Sequence, residues 1–234
     1  MMTHTRFLLI GLLLLATGST VFGQKKLRFG IQLHLNGSSA NIGKDSRASE
    51  ELQEIYQEEE VARLSSAVHF FGEYAILPRL HTYLGVGYQN HGHRLREIHG
   101  SYINPQNGGF EEGSAKVRIV MHYLEFPFGL KTYLSRHVYL NLGASMNVYF
   151  SDYRRRIFQF DGGDYDNAVF WVKHEDPRDI NWSLRPGLGL EFGKSDGLGW
   201  YVEGTYQYML KPLSNWPRIN RRLESLGMTA GVKF

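Results

Sequence analysis

Leu223–Phe234 reads LESLGMTAGVKF, and its last nine residues decide the fold. From Leu226 the apolar side chains fall on every second position: Leu226, Met228, Ala230, Val232 and Phe234. Gly227, Thr229, Gly231 and Lys233 occupy the other face. A period of two is a strand with one apolar face. A strand with a bare backbone edge is an aggregation hazard, so this one is expected to pair with the first strand and close a sheet. Its small, polar second face suits a cramped interior.

The same alternation recurs along the chain. Leu27, Phe29, Ile31, Leu33 and Leu35 oppose Arg28, Gly30, Gln32 and His34. Residues 65–77 set Val68, Phe70, Tyr74 and Ile76 against Ala67, His69, Glu73 and Ala75, and Pro78-Arg79 predicts a tight turn. Leu80, Thr82, Leu84, Val86 and Tyr88 follow on a third strand. Residues 116–131 carry a fourth, 138–150 a fifth, 182–192 a sixth, 200–210 a seventh, and the terminal segment is the eighth. Connections alternate long and short. Residues 36–64 form a long polar insertion that reads equally as a short helix, with Ser49 capping Glu50 and Glu51, or as a strand running past the sheet. Residues 92–115 contain the turn-rich NPQNGG, and 151–180 have two strand-like flanks that predict a projecting hairpin.

The 234 residues suit one all-β domain, and 14 Phe, 14 Tyr and 26 Gly favour strands with many turns. The absence of cysteine excludes disulfides, thiolate metal sites and a Cys nucleophile. A formal charge of +3 without a Lys/Arg stripe argues against nucleic acid. Arg6 followed by the short apolar run Phe7–Gly18 and by Val21-Phe22-Gly23 predicts a signal peptide over 1–23, cleaved after Gly23, leaving 24–234 as the barrel domain.

The fourth strand contains YLEFPFGLK at 123–131. It resembles the hallmark strand of the outer-membrane β-barrel domain family of Bacteroidota-type bacteria, the PorT-like proteins. NLGASM at 141–146, PGLGLEFG at 186–193 and LGMTAGVKF at the end extend the resemblance over most of 24–234. Phe126 and Phe128 stand where the family has aliphatic residues, and the third insertion is long for it. The resemblance implies an eight-stranded antiparallel transmembrane β-barrel in the outer membrane, exported by the Sec route. It also implies assembly by the barrel-assembly machinery through the C-terminal strand and contact with outer-membrane lipids.

Independently of that resemblance, short turns at one end and long loops at the other match the periplasmic and external ends of such a barrel. The rival is a soluble lipocalin-like barrel with an apolar pocket. The polar faces carry Arg28, Lys131, Arg185 and Lys233 against Glu73, Glu125, Glu191 and Glu203. Four cations and four anions among Gly, Ser, Asn and Tyr read as a matched network inside a narrow lumen. Aromatic residues are expected in two belts on the apolar face: Phe128, Phe192, Trp200 and Phe234 near the short turns, and Tyr88, Phe150, Trp182 and Tyr208 near the long loops. Arg118 and His122 fit badly, because unbroken alternation turns them towards lipid; either a bulge or a lower membrane edge would resolve this.

Catalytic and metal chemistry is weakly signalled. His91 and His93 with His99, and Asp161, Asp164 and Asp166, read as exposed loop residues rather than metal sites. A lipid acyl hydrolase would need Ser, His and an acid at the rim, and neither Ser145 nor Ser183 has an adjacent His. No cofactor is expected. Eight strands are too few for an aqueous pore. What individualises the chain is its loops, with Arg154, Arg155 and Arg156 as candidate contacts for a lipid headgroup or an external partner. The expectation is a structural or adhesion-type barrel that displays loops to an external ligand or protein.

Overall fold

The computed structural model describes residues 27–42, 60–104, 106, 108–161, 165–170, 178–193, 197–213 and 221–234. Residues 1–23, the expected signal peptide, and most of the first insertion lie outside them. Among the described residues the chain forms eleven strands and no helix: β1 (Leu27–Ile42), β2 (Glu60–Val61), β3 (Arg63–Leu77), β4 (Leu80–Leu95), β5 (Ile98–Ile103), β6 (Phe110–Tyr133), β7 (Val138–Phe160), β8 (Tyr165–Phe170), β9 (Ile180–Gly193), β10 (Gly199–Met209) and β11 (Arg221–Lys233).

Eight of these close into a ring, β1-β3-β4-β6-β7-β9-β10-β11, every pair antiparallel. The seam is the one anticipated from Leu226–Phe234: β11 pairs with β1 from Gly30↔Lys233 to Ile42↔Arg221. At its end Phe29 and Phe234 exchange backbone hydrogen bonds of 3.2 and 2.9 Å. Short β2, β5 and β8 add to β4, β6 and β7 outside the ring.

Orientation follows from burial. Leu140 and Leu188 are 47% and 55% exposed, whereas Arg185 and Glu203 are 2% and 3% exposed. Apolar side chains thus point away from the axis and polar ones towards it, the reverse of a lipocalin-like barrel. The inward glycines make room for inward rings: a Cβ on Gly231 would lie 2.5 Å from the Tyr201 ring, and one on Gly189 would lie 2.2 Å from Tyr139. The prolines interrupt one ladder each. Pairing of β4 with β6 skips from Leu84↔Phe128 to Gly87↔Glu125 around Pro127, and β10 with β9 skips from Thr205↔Gly187 to Tyr208↔Leu184 around Pro186.

Two expectations need revision. Strands on the long-loop side extend further than alternation suggested: β1 runs to Ile42, β6 begins at Phe110 and β7 ends at Phe160. The aromatic belts are also less tidy, because Phe128 and Trp182, assigned to opposite belts, pack edge to face at 6.2 Å. Slanted strands bring positions at different heights along their own strands side by side.

Candidate functional site

The lumen is filled. At the short-turn end the Glu73 carboxylate accepts from Lys233 Nζ at 2.9 Å and His81 Nδ1 at 2.9 Å, and Lys131 Nζ lies 3.2 Å away. Glu191 accepts from Lys233 Nζ at 2.6 Å, from Arg28 at 3.1 Å and from the Tyr133 hydroxyl. Lys131 also sits 4.6 Å from the centroid of Tyr201 and 4.9 Å from that of Tyr139. Midway, Glu125 accepts from His69 Nε2 at 2.7 Å and from Gln207 at 3.3 Å, with Arg185 at 3.8 Å. Glu203 accepts from the Asn141 amide at 2.8 Å. Near the external end the inward face turns apolar, with Ile119, Met121, Tyr123, Met209, Leu213 and Leu223 packed together.

All eight charged residues singled out by alternation line this interior, Arg28 being half-buried and the other seven buried. They do not pair four with four. Glu203 bonds an amide rather than a cation, and His69, His81 and the tyrosines carry much of the network. Period-two placement already put His69 on the inward face; the tyrosine contributions depend on which strands the ring brings opposite, a long-range property.

His91 and His93 are buried on the inward face rather than exposed, while His99 is exposed on β5. The first two continue the inward positions of β4 through Tyr83 and Gln89, in an unbroken register with β6, and the carbonyl of Gly92 between them accepts from the Ser38 hydroxyl at 2.6 Å. A Cβ at Gly92 would lie 2.0 Å from the Ile119 carbonyl oxygen, so only glycine fits. Among the described residues no group of three or more His, Cys, Asp or Glu is placed to hold a metal ion. Asp161 is exposed at a turn; Asp164 and the side chain of Asp166 lie outside the described residues. The Ser145 and Ser183 hydroxyls bond each other at 2.6 Å inside the lumen, away from any lipid-facing rim.

Beyond the ring on the external side, β5, β6, β7 and β8 continue as a four-stranded sheet. Asn104 closes the β5–β6 hairpin, its carbonyl accepting from Gly108 N–H at 2.8 Å, with Gly108 at φ 72°. Ile103 and Phe110 pair at the tip and are both exposed. Tyr102 and Phe158 pack at 5.2 Å and tie the two hairpins together.

The difficulty at Arg118 and His122 resolves in an unexpected way. A bulge exists, but on β7: His122 pairs with Ser151 and Tyr123 with Tyr149, leaving Phe150 as the extra residue. β6 alternates without a break, so His122 and Arg118 do face outward. His122 is accommodated by the Tyr88 hydroxyl at 2.5 Å and by the rings of Tyr88, Phe150 and Tyr153. The shift also divides the arginine run. Arg154, Arg155 and Arg156 are strand residues, so Arg155 lies on the outward face beside Arg118 while Arg154 and Arg156 lie on the opposite one.

The model of the outer membrane protein beta-barrel domain matches residues 19–215. Curated proteins give no significant match. Among solved structures, the attachment invasion locus protein Ail of Yersinia pestis is 10% identical with a TM-score of 0.38, covering 90% of this chain and 100% of Ail. Neisserial surface protein A is 12% identical with a TM-score of 0.36, covering 88% and 97% respectively. The toluene transporter TodX of P. putida is 9% identical with a TM-score of 0.28, covering 91% and 90%. With a family model spanning most of its length and a closed ring of eight antiparallel strands that is apolar outside and polar within, the chain belongs to the outer membrane protein beta-barrel domain family.

Proposed function

We propose that this outer-membrane barrel is an interaction protein of structural or adhesion type, whose external four-stranded sheet meets a partner outside the cell. The carrying observation is the pair Ile103 and Phe110 at the hairpin tip, 60% and 74% exposed and well beyond the ring. Large apolar side chains held out on an ordered hairpin mark a contact surface, where a merely structural barrel would have polar turns. Eight strands leave a lumen only wide enough for the side chains that occupy it among the described residues, which favours interaction over transport. The serines buried in the lumen give an acyl-transfer reading no support.

The kinship narrows to the PorT-like set on the strength of YLEFPFGLK. Residues 1–23 direct export and are removed after Gly23. The barrel-assembly machinery engages β11. Partners are outer-membrane lipids and an external ligand or protein, with no nucleic acid. Intact mass of the mature protein tests the cleavage site, and co-sedimentation with outer membranes tests the address. For the contact surface, cells carrying the wild-type chain are compared with cells carrying Ile103→Ser/Phe110→Ser in surface-adhesion and autoaggregation assays. Adhesion lost at equal surface level and unchanged heat-modifiable mobility is expected. Equal adhesion by both would refute the reading, as would discrete ion conductance in planar bilayers.

A further inference from the structure

We infer that the external rim of the barrel wall, where β4 meets β6, holds the phosphate of an anionic lipid headgroup from the surrounding outer leaflet. This site is separate from the hairpin tip and does not depend on what the tip binds.

Arg94 pairs directly with Arg118 across β4 and β6, and Arg118 pairs with Arg155 across β6 and β7. Three guanidinium side chains therefore share one rung and point outward. Like charges set opposite each other across strands repel and weaken the sheet. A multivalent anion bound between them reverses that sign. Guanidinium also matches the geometry: its planar fork grips phosphate oxygens two at a time.

The surroundings are a built cleft rather than a flat charge run. A cleft of about 200 Å³ opens here, and its charged lining residues are Arg94, Arg96, Glu97, Lys116 and Arg118. Among the described residues four cations and one carboxylate line it, and that carboxylate, Glu97, is taken by Lys116 at 3.1 Å. Arg94, Arg96 and Arg118 are the other charged groups lining the opening among the described residues.

Height and direction identify the occupant. Directly below the rung, on the same outward face, lie His122, Tyr88, Phe150 and Tyr153, stacked on one another as an aromatic shelf. Aromatic groups of this kind sit at the boundary of hydrocarbon and headgroups. Arg118 lies four residues before His122 on β6, towards the external end, which at ~3.3 Å per residue on a tilted strand places it roughly 10 Å above that ring. That is headgroup height. Because the arginines face away from the axis, they meet the surrounding leaflet and not the mouth of the barrel. A soluble anion would have no need of the shelf beneath.

The test uses the full-length barrel in detergent, with diphosphoryl lipid A as probe and retention read by native mass spectrometry. Arg94→Gln/Arg118→Gln is compared with Arg79→Gln/Arg136→Gln, which removes the same charge from exposed positions at the short-turn end. Heat-modifiable mobility verifies that each variant is folded, and Arg118→Lys supplies a milder second variant. Retention at least tenfold lower in Arg94→Gln/Arg118→Gln, a smaller loss in Arg118→Lys and no loss in the short-turn variant are expected, with diminishing retention as salt rises. Equal loss in both double variants would overturn the proposal as generic charge attraction. Undiminished retention would overturn it outright, as would competition by millimolar inorganic phosphate that shows the acyl chains to be irrelevant.

Discussion

Substitution of Glu73 by Gln tests the inner network most directly. Its carboxylate pairs with two buried ammonium groups, Lys131 at 3.2 Å and Lys233 at 2.8 Å, and bonds His81 as well. Lys233 keeps Glu191 at 2.6 Å after the change. Lys131 has no second carboxylate within ion-pair distance among the described residues and is left on the faces of Tyr139 and Tyr201. At 3.2 Å and an effective dielectric of about 20, the lost attraction is about 5 kcal/mol. Breaking one side of a buried pair costs about 3–5 kcal/mol, and the two figures agree. Equilibrium urea unfolding of the refolded barrel in lipid vesicles is the assay. Adding Lys131→Met should restore most of the loss, because replacing both members of a buried pair by neutral groups of similar size is close to neutral. A Glu73→Gln barrel within about 1 kcal/mol of wild type would refute the reasoning. Failure of Lys131→Met to restore stability would do the same, by showing that the cost arises from shape and not from the orphaned ammonium.

Gly231→Val places a side chain within 2.5 Å of the Tyr201 ring, so the heat-modifiable folded band should largely vanish; Gly37→Val, where a Cβ meets nothing nearer than 4.0 Å, should retain it. Leu188→Arg puts a charge on the lipid face and should lower vesicle stability by about 2–4 kcal/mol, whereas Tyr206→Arg, nearer the external rim, should lower it less. Glu97, on the external side, has its carboxyl held below the usual range by the Ser114 hydroxyl and by Lys116. A depressed pKa gives stability that is present at neutral pH and lost as pH falls through the folded value. Hydrogen exchange of β5 amides should therefore rise only as pH falls below the ordinary carboxylate range, and Glu97→Gln should exchange at the faster rate throughout.

Sequence alone determined the ring and its polarity. The period-two runs ending in Leu226–Phe234 made eight strands, and the matched charges on the face opposite the apolar one told inside from outside. That works because a strand's facing pattern is local: residue i and residue i+2 share a face whatever lies across from them. The tertiary structure alone decided who meets whom. Glu203 finds Asn141 and not a cation, and Lys131 lands on two rings, because partners there are set by strand order and shear. His91 and His93 keep the inward parity of Gln89, but only the closed ring, which extends β4 past them, buries them instead of leaving them at a loop base. One extra residue, Phe150, flips the facing of everything after it on β7, sending Arg155 to the rung of Arg118 and Arg154 and Arg156 to the other side. A bulge is defined by a partner strand's count against one's own, so no reading of β7 by itself could have placed it, and the basic rung on the outer wall exists only once that count is made.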